Sequence, residues 1–395
     1  MSTITLNVTN GFAPQGSVGV SRIRMLNSLA LRGLIGMYDR RSRLFCYKSK
    51  RGDAGVESEG VSHRYSVMAL LGLLRARSAL IVDALDARTI FESLIEDLQW
   101  VTNVGDLGLL LWLCSLIAPE RYAKVWERAH AGNAFSHHRG PSADRSMEIA
   151  WFLAGLSHAK DSGISESLLL KHHAFQCFDL LIKLQGRNGV FGHRMAGRFA
   201  GSLRGTLGSF ADQVYPIYAL AIFGQAFGSD AALRMASRCA DTICHAQGSE
   251  GQWWWHYSSR QGRVVGRYPV YSVHQDGMAP MALLALGRAT GKDYSPWIFK
   301  GLEWIWGNNE LRKDLCEDSL GVIWRNIYPR TMQRHLNEAA CLLGLGDGSG
   351  LPRGLRILRE CRPYHLGWLL YAFGEYGFAQ PVPRPQGQAN LYATA

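Results

Sequence analysis

The chain has 395 residues, of which 43 are Lys or Arg and 32 are Asp or Glu, so its formal net charge is +11. Hydrophobic residues make up 47% of the chain and charged residues only 19%, which excludes a disordered protein. The length allows two or three domains, but large helical toroids and barrels of this size also form one unit. With 12 Trp, 15 Tyr and 15 Phe, the chain can build one large core.

The first twenty residues contain no basic residue and no apolar run long enough for a secretory signal. Apolar windows such as residues 107–118 hold about a dozen residues and fall short of the ~20 that span a membrane. The eight cysteines are scattered without any CxxC spacing, as is typical of free thiols in a reducing compartment. We therefore expect a cytoplasmic protein without a membrane span.

Taken in chain order, residues 1–20 predict an N-terminal arm, and two kinds of helix then alternate. Amphipathic stretches with charges along one face predict outer helices at the surface, and they include residues 121–130, 165–185, 230–247 and 294–308. The other kind opens with polar residues and then becomes almost wholly apolar, which predicts an inner helix covered everywhere but at its first turn. The clearest openings are residues 62–65, 144–145, 212–213, 274–276 and 335–338, with weaker copies at 103–106 and 364–365.

A glycine-to-aromatic turn recurs between outer and inner helices. Residues 185–191 and 247–253 share the pattern Q-x-x-x-G-x-(F/W), and residues 321–324 are a looser copy. Glycine permits the reversal of the backbone, and the aromatic ring can fill the gap between adjacent hairpins. The turns are therefore evidence of a repeated helical hairpin.

A ring of alternating outer and inner helices, with every inner helix starting at one mouth, accounts for these features together. We predict an all-α (α/α)6 toroid of six or seven helical hairpins. It forms a single domain over residues 21–378, followed by a loose C-terminal tail over residues 379–395, where proline and small polar residues dominate.

The two Q-x-x-x-G-x-(F/W) turns resemble the QW motifs of squalene–hopene and related class II terpene cyclases. That resemblance implies an acidic D-x-D-D run at the opening of an inner helix, whose middle Asp protonates an alkene. The matching stretch here reads Ser142-Ala143-Asp144-Arg145 and keeps only the middle acid.

The layout also resembles that of carbohydrate-active toroids, which include unsaturated glucuronyl hydrolases, polysaccharide lyases and sugar epimerases. In these proteins a polar mouth ringed by aromatic residues binds a glycan. Similarity to the glucuronyl hydrolases implies paired aspartates on successive inner helices, and Asp144 and Asp212 occupy such positions.

The predicted mouth suits acid–base chemistry on an anionic ligand. Helix N-termini carry unpaired N–H groups and partial positive charge, so a ring of them attracts carboxylates or sulfates. General acid and base catalysis on a glycosidic bond needs acids that face each other across a site. The candidate catalytic residues are Asp144, Asp212, Asp276, Glu338 and His274. An Asp in the first turn of a helix is also often merely a cap, so both roles remain open.

Glu148, one turn deeper than Asp144, fits either a structural pair with Arg145 or His63 or a catalytic role.

The densest polar and aromatic segment is residues 252–276, which leads directly into an inner helix. Indole and phenol rings stack on sugar faces, and arginine binds carboxylates bidentately. The candidate substrate-binding residues are Trp254, Trp255, Arg267, Tyr271 and Gln275 in this segment, with His63, Arg64, Arg145, Gln213, Tyr215, His335 and Asn337 at the other openings. Trp253 instead fits a buried plug between hairpins.

These observations favour a carbohydrate-active enzyme that acts on an acidic, uronate-containing saccharide by carboxylate and histidine acid–base catalysis, as a hydrolase, lyase or epimerase. The alternatives are a terpene cyclase or prenyl-binding toroid, and a non-catalytic glycan-binding or scaffold protein in polysaccharide assembly. The expected partner is an anionic small molecule or oligosaccharide. The sequence contains no nucleic-acid-binding module, phosphate-binding loop or metal-ligand spacing, so we expect no nucleic acid, cofactor or metal.

Overall fold

The computed structural model describes residues 16–53, 55–76, 85–131, 145–164, 167–194, 205–330 and 354–379. Within them, two kinds of α-helix alternate along the chain. Six are outer helices: α1 (Gly16–Met37), α3 (Ala87–Glu96), α5 (Tyr122–Ala131), α7 (Leu168–Leu184), α9 (Asp230–His245) and α11 (Ser295–Ile305). Six are inner helices: α2 (His63–Ala76), α4 (Val104–Ile117), α6 (Ser146–Asp161), α8 (Ala211–Phe227), α10 (Ala279–Thr290) and α12 (Pro363–Phe373).

The inner helices form a closed ring. Each packs on the next, from α2 through α4, α6, α8 and α10 to α12, and α12 packs back on α2. Each outer helix lies against an inner one, so six hairpins make an (α/α)6 toroid, as the sequence predicts. The predicted opening at residues 335–338 lies outside the described residues.

The apolar pattern explains which helices lie inside. In α4 every residue from Gly105 to Ser115 is buried, whereas in α9 the buried residues recur every three or four positions along one face. Inner helices approach closely where glycines meet, because a Cβ on Gly108 in α4 would overlap the backbone of Phe152 in α6. Among the described helices, none combines the length and apolar character needed to cross a bilayer.

Short antiparallel strands lie in the connections that lead from outer to inner helices. They are β1 (Tyr38–Asp39), β2 (Leu44–Arg51), β3 (Val56–Val61), β4 (Leu207–Ser209), β5 (His256–Ser258), β6 (Arg263–Gly266), β7 (Val270–Tyr271), β8 (Cys316–Glu317), β9 (Val322–Ile323), β10 (Asn326–Pro329), β11 (Leu355–Leu358) and β12 (Glu360–Cys361). Strand β4 pairs with β5, β7 with β10, and β12 with β2, so the strands connect neighbouring hairpins around the mouth. The minor sheets are an addition to the predicted all-α architecture.

The two Q-x-x-x-G-x-(F/W) turns make the same contacts in successive repeats. The side-chain amide of Gln185 donates to the glycine carbonyl four residues on, at 2.8 Å, and to the carbonyl of Met235 in α9, at 2.9 Å. The amide of Gln247 donates to its own glycine carbonyl at 3.1 Å and to the carbonyl of Trp297 in α11 at 3.0 Å. Phe191 and Trp253, which end the two turns, are fully buried. The motif therefore joins each hairpin to the next outer helix.

The looser third copy of the turn, residues 321–324, lies where the last connection meets the first outer helix. A Cβ on Gly33 in α1 would overlap the carbonyl oxygen of Gly321, so the last connection packs directly on the first outer helix. Arg32 pairs there with Asp318. Helix α1 begins at Gly16, so residues 16–20 of the predicted arm are helical, while residues 1–15 and 380–395 lie outside the described residues.

Aromatic side chains fill the centre of the ring. Trp112 from α4 packs 5.1 Å from Tyr218 of α8, 5.9 Å from Trp368 and 5.1 Å from Tyr371 of α12, between ring centroids. His158 of α6 lies 2.9 Å from the hydroxyl of Tyr218, which is 2.6 Å from that of Tyr371. Polar side chains that can meet a ligand are therefore found nearer the first turns of the inner helices.

Candidate active site

The polar openings of the inner helices lie at the end of the toroid where the strands connect the hairpins, and several contact one another. Arg64 at the start of α2 donates two hydrogen bonds to Asp106 in the first turn of α4, at 2.5 and 3.0 Å. Asn103, the N-cap of α4, donates to the same carboxylate at 2.9 Å. Asp106 is fully buried, and this bidentate pair holds its side chain in place between α2 and α4.

Glu148, in the first turn of α6, is the next acid around the ring. One of its oxygens accepts a hydrogen bond of 3.3 Å from Arg145, and the other is buried without any hydrogen-bond partner. Burial raises the pKa of Glu148 to about 7; Arg145 and Arg64 oppose the rise and Asp106 adds to it. The Arg64 and Arg145 side chains beside it are each 39% exposed, so two partly exposed cations adjoin the buried Glu148.

A second buried acid pairs with a histidine across the ring. Asp276 lies in the π-helical turn His274–Met278 that precedes α10, and its two oxygens are 2.8 and 2.9 Å from Nε2 of His365 in α12. Burial would lower the pKa of His365, but the Asp276 carboxylate outweighs it and raises this pKa to about 10. The pair therefore keeps a proton at neutral pH.

Asp212 has more hydrogen-bond partners than Glu148. Its Oδ2 accepts from the backbone and the hydroxyl of Ser209, both at 2.8 Å, and lies 3.1 Å from Nδ1 of His193. This is the bonding of a capping carboxylate with a histidine beside it. Gln213, the next residue, bonds both the N–H and the carbonyl of Phe191, at 2.7 and 2.9 Å, and so supports the adjacent turn.

The aromatic segment divides into a structural part and a part at the mouth. Trp254 is buried, donates to the carbonyl of Ala246 at 2.8 Å and carries the Arg267 guanidinium 5.2 Å from its ring centroid. Trp255 is only partly buried and lies 4.8 Å from Tyr271, between ring centroids. Of the two candidate tryptophans, Trp255 is thus the one that the geometry leaves accessible to a ligand.

The remaining predicted residues have defined surroundings. His274 is stacked on Trp255 at 5.9 Å, its Nδ1 has no partner, and burial lowers its pKa to about 3. Gln275 donates to the carbonyl of Tyr271 at 3.2 Å, and the buried hydroxyl of Tyr215 accepts from the indole of Trp368 at 2.9 Å.

His63 stacks on Trp100 at 5.6 Å, and burial lowers its pKa. The predicted residues Asp144, Glu338, His335 and Asn337 lie outside the described residues. Within the described ranges, no three His, Cys, Asp or Glu side chains cluster as metal ligands would.

Two residues of the site, Asp106 and His365, were not among the candidates chosen from the sequence, and Glu148 was left open between a structural and a catalytic role. Asp106 and His365 belong to the two weaker openings, and Glu148 follows the expected acid by one turn. Each had a signal in the sequence, namely a polar residue in the first turn of an apolar helix. What no local pattern could provide was the identity of their partners.

Comparison with known proteins supports the architecture. No protein-family model and no curated protein matches the sequence. Among solved structures, cellobiose 2-epimerase from Bacillus thermoamylovorans matches with a TM-score of 0.62 at 11% identity, over 91% of this chain and 100% of that chain. A possible member of the GH105 family from Klebsiella pneumoniae matches with a TM-score of 0.60 at 12% identity, over 92% and 95%. An unsaturated glucuronyl hydrolase specific for heparin matches with a TM-score of 0.58 at 13% identity, over 91% and 97%. The chain therefore shares the (α/α)6 toroid of these carbohydrate-active enzymes, and identities this low establish the fold alone.

Proposed function

We propose that this protein is a carbohydrate-active enzyme that acts on an acidic, uronate-containing saccharide by acid–base catalysis at the mouth of the toroid. The observation that carries the proposal is Glu148, a buried carboxyl group with a pKa of about 7 and one oxygen without a partner. A group of this kind gives and takes protons readily at neutral pH. Uronate hydrolysis, elimination and epimerisation all require such a transfer.

The residues around Glu148 support separate roles in substrate binding and proton transfer. Arg64 holds Asp106 in one orientation, while Arg64 and Arg145 are exposed enough to attract an anionic saccharide. The unpartnered oxygen of Glu148 then protonates the leaving oxygen or removes a proton from water or the sugar. The protonated His365–Asp276 pair is a second proton source at the same mouth.

The names of the structural neighbours favour a saccharide over a prenyl substrate, since they include glucuronyl hydrolases and an epimerase of cellobiose. The packed aromatic centre around Trp112 and Tyr218 also argues against a large apolar reaction chamber below the mouth. A glycan-binding protein without turnover would share the same mouth, and the experiment below separates the two. We further propose a cytoplasmic location, because all seven cysteines among the described residues are free thiols.

The test is turnover of a panel of uronic-acid oligosaccharides and prenyl diphosphates, read by mass spectrometry for binding and product. We expect product only from the uronates, with a limb near pH 7 in the pH profile of kcat. Activity falls below that pH if Glu148 acts as the base and above it if Glu148 acts as the acid. Glu148→Gln should lower kcat at least 100-fold, because the amide cannot transfer the proton. Glu127→Gln, on the exposed face of α5, is the matched control and should stay within twofold. Uronate binding with no product, or a Glu148→Gln variant within tenfold of the parent, would contradict the proposal.

A further inference from the structure

Two arginines in the long connection between α11 and α12 lie over tyrosine rings at the mouth. Arg362 is the N-cap residue of α12, and its guanidinium lies 4.4 Å from the ring centroid of Tyr47 and 5.9 Å from that of Tyr65. It also donates to the hydroxyl of Tyr65 at 3.1 Å. Arg325 lies in the same way 5.4 Å from the ring centroid of Tyr271. Both planar groups are thus oriented by aromatic faces.

The two arginine–tyrosine units are neighbours. Tyr364, in the first turn of α12, interacts electrostatically with Tyr65, Tyr271 and Arg362, so it lies between the units. Its ring centroid is 4.7 Å from that of Tyr65. We call Arg325, Arg362, Tyr47, Tyr65, Tyr271 and Tyr364 the arginine–tyrosine shelf.

The shelf has more positive charge than its own carboxylate neutralises. Glu360 lies 3.6 Å from Arg325, 3.4 Å from Arg362 and 3.5 Å from Lys48, all longer than the ~2.8 Å of a direct charge-assisted hydrogen bond. Lys48 has a second carboxylate, Glu59, at 3.2 Å. The two arginines therefore share one carboxylate, to which Arg362 donates a long hydrogen bond.

One donor atom of each arginine lacks a hydrogen bond. These buried atoms are Nε of Arg362 and Nη1 of Arg325, which has the Glu360 carboxylate at 3.6 Å. Buried donors without partners are rare in folded proteins because they lose hydration without compensation. A carboxylate bound between the two guanidinium groups would satisfy them and balance the charge.

The shelf is continuous with the candidate catalytic acid. Arg64, the neighbour of Tyr65 in α2, interacts electrostatically with Tyr65 on one side and with Glu148 on the other. It also donates a hydrogen bond to Asp106. The openings of α12, α2, α4 and α6 are successive around the ring. Tyr47 at one edge of the shelf is 43% exposed, which leaves its side chain accessible to a sugar ring.

We propose that the arginine–tyrosine shelf is the subsite that binds the carboxylate of the uronate, with Arg325 and Arg362 as its two donors. This inference rests on the proposed function and assigns the specificity for acidic sugars to two residues. Neutral sugars can stack on the tyrosines but leave both guanidinium groups unpaired, so they bind more weakly.

The test measures binding without turnover, in the full-length Glu148→Gln protein, by calorimetric titration. The ligands are a glucuronate-terminated oligosaccharide and the matched glucose-terminated one. In this background Arg362→Gln and Arg325→Gln should each weaken uronate binding at least tenfold and leave glucose binding within threefold. In the catalytically intact protein the same changes should raise KM more than they lower kcat.

Arg356→Gln is the matched control, because Arg356 also lies over a tyrosine ring, Tyr328 at 4.7 Å, but is exposed and makes no contact with Glu360. It should leave both affinities unchanged. Arg362→Lys keeps the charge without the planar guanidinium group, so its loss of uronate affinity should be intermediate. This variant replaces Arg362→Gln if the latter does not fold.

Equal losses for the two ligands, or an unchanged preference for uronate, would overturn the assignment of the shelf while leaving the proposed function in place. Parent protein that binds neither ligand would instead overturn the proposed function, and the shelf with it.

Discussion

At the scale of single residues, the partner of each buried acid decides its chemistry. Asp106 has a bidentate guanidinium and Asp276 an imidazole, whereas Glu148 has one hydrogen bond of 3.3 Å and an unpartnered oxygen. Desolvation without full compensation favours the neutral acid, which is why the pKa of Glu148 rises to about 7. A group in this condition reduces the stability of the fold whenever it ionises.

Glu148→Gln should therefore change the pH dependence of stability. Because the pKa of Glu148 is about 7 in the folded protein and 4.5 ordinarily, the folded state binds more protons between these values, and stability falls as pH rises through them. The Gln variant lacks this loss. The difference in unfolding free energy between the variant and the parent should therefore shift by about 2–3 kcal/mol in favour of the variant between pH 4.5 and pH 8. Urea unfolding of both proteins at the two pH values measures the gain. A stability difference that is the same at both pH values would mean that Glu148 titrates normally.

At the scale of elements, the glutamine turns join each hairpin to the next through side-chain hydrogen bonds. Gln185 and Gln247 reach the carbonyls of Met235 and Trp297, each fifty residues further along the chain, in the N-terminal half of the next outer helix. The repeat is thus a repeat of hydrogen bonds as well as of residues. In this protein the glutamine of each QW-like turn forms the two hydrogen bonds, and the aromatic residue that ends the turn is buried.

Gln247→Ala and Gln185→Ala should each lower the free energy of unfolding by about 1–3 kcal/mol, because two part-buried carbonyl groups lose their donor. Gln176→Ala serves as the control, since Gln176 lies on the exposed face of α7 and should change stability by less than about 0.5 kcal/mol. Chemical denaturation followed by circular dichroism gives all three values. If Gln247→Ala matches the control, the turns do not contribute to the joint between hairpins.

At the scale of the whole molecule, the fold depends on closure between its two ends. Strand β12 pairs with β2, Arg22 of α1 bonds Glu303 of α11 at 2.8 Å, and Gly321 packs on Gly33. These contacts join residues that are hundreds of positions apart. A toroid that fails to close would expose the apolar flanks of its first and last hairpins.

Helix α1 offers a matched pair of variants for the closure. A Cβ on Gly33 would overlap the Gly321 carbonyl and press on Leu366, whereas a Cβ on Gly36 meets nothing within 4 Å. Gly33→Ala should destabilise the protein by about 1–3 kcal/mol. Gly36→Ala should leave stability unchanged or raise it by up to about 1 kcal/mol, since alanine favours the helix. Melting temperatures that fall equally in both variants would refute a tight joint at Gly33.

Much of the architecture was predictable because its causes are local. The period of apolar residues distinguishes α9 from α4, and the glycine turns mark where one hairpin ends. The burial of Trp253 followed from the same turn. The site was less predictable, because Trp254 and Trp255 are adjacent and equally suitable in sequence, yet one is enclosed by Arg267 and the other is only partly buried.

The sequence by itself determined that helices of two kinds alternate and that the inner ones open with polar residues, since helix periodicity and the desolvation of apolar side chains act over neighbouring positions. Only the tertiary structure decided that Asp276 meets His365, that Arg64 meets Asp106, and that Glu148 is left with an unused oxygen. The order of helices around a closed ring sets these distances, and charge interactions depend on distance in space and on burial, not on separation along the chain.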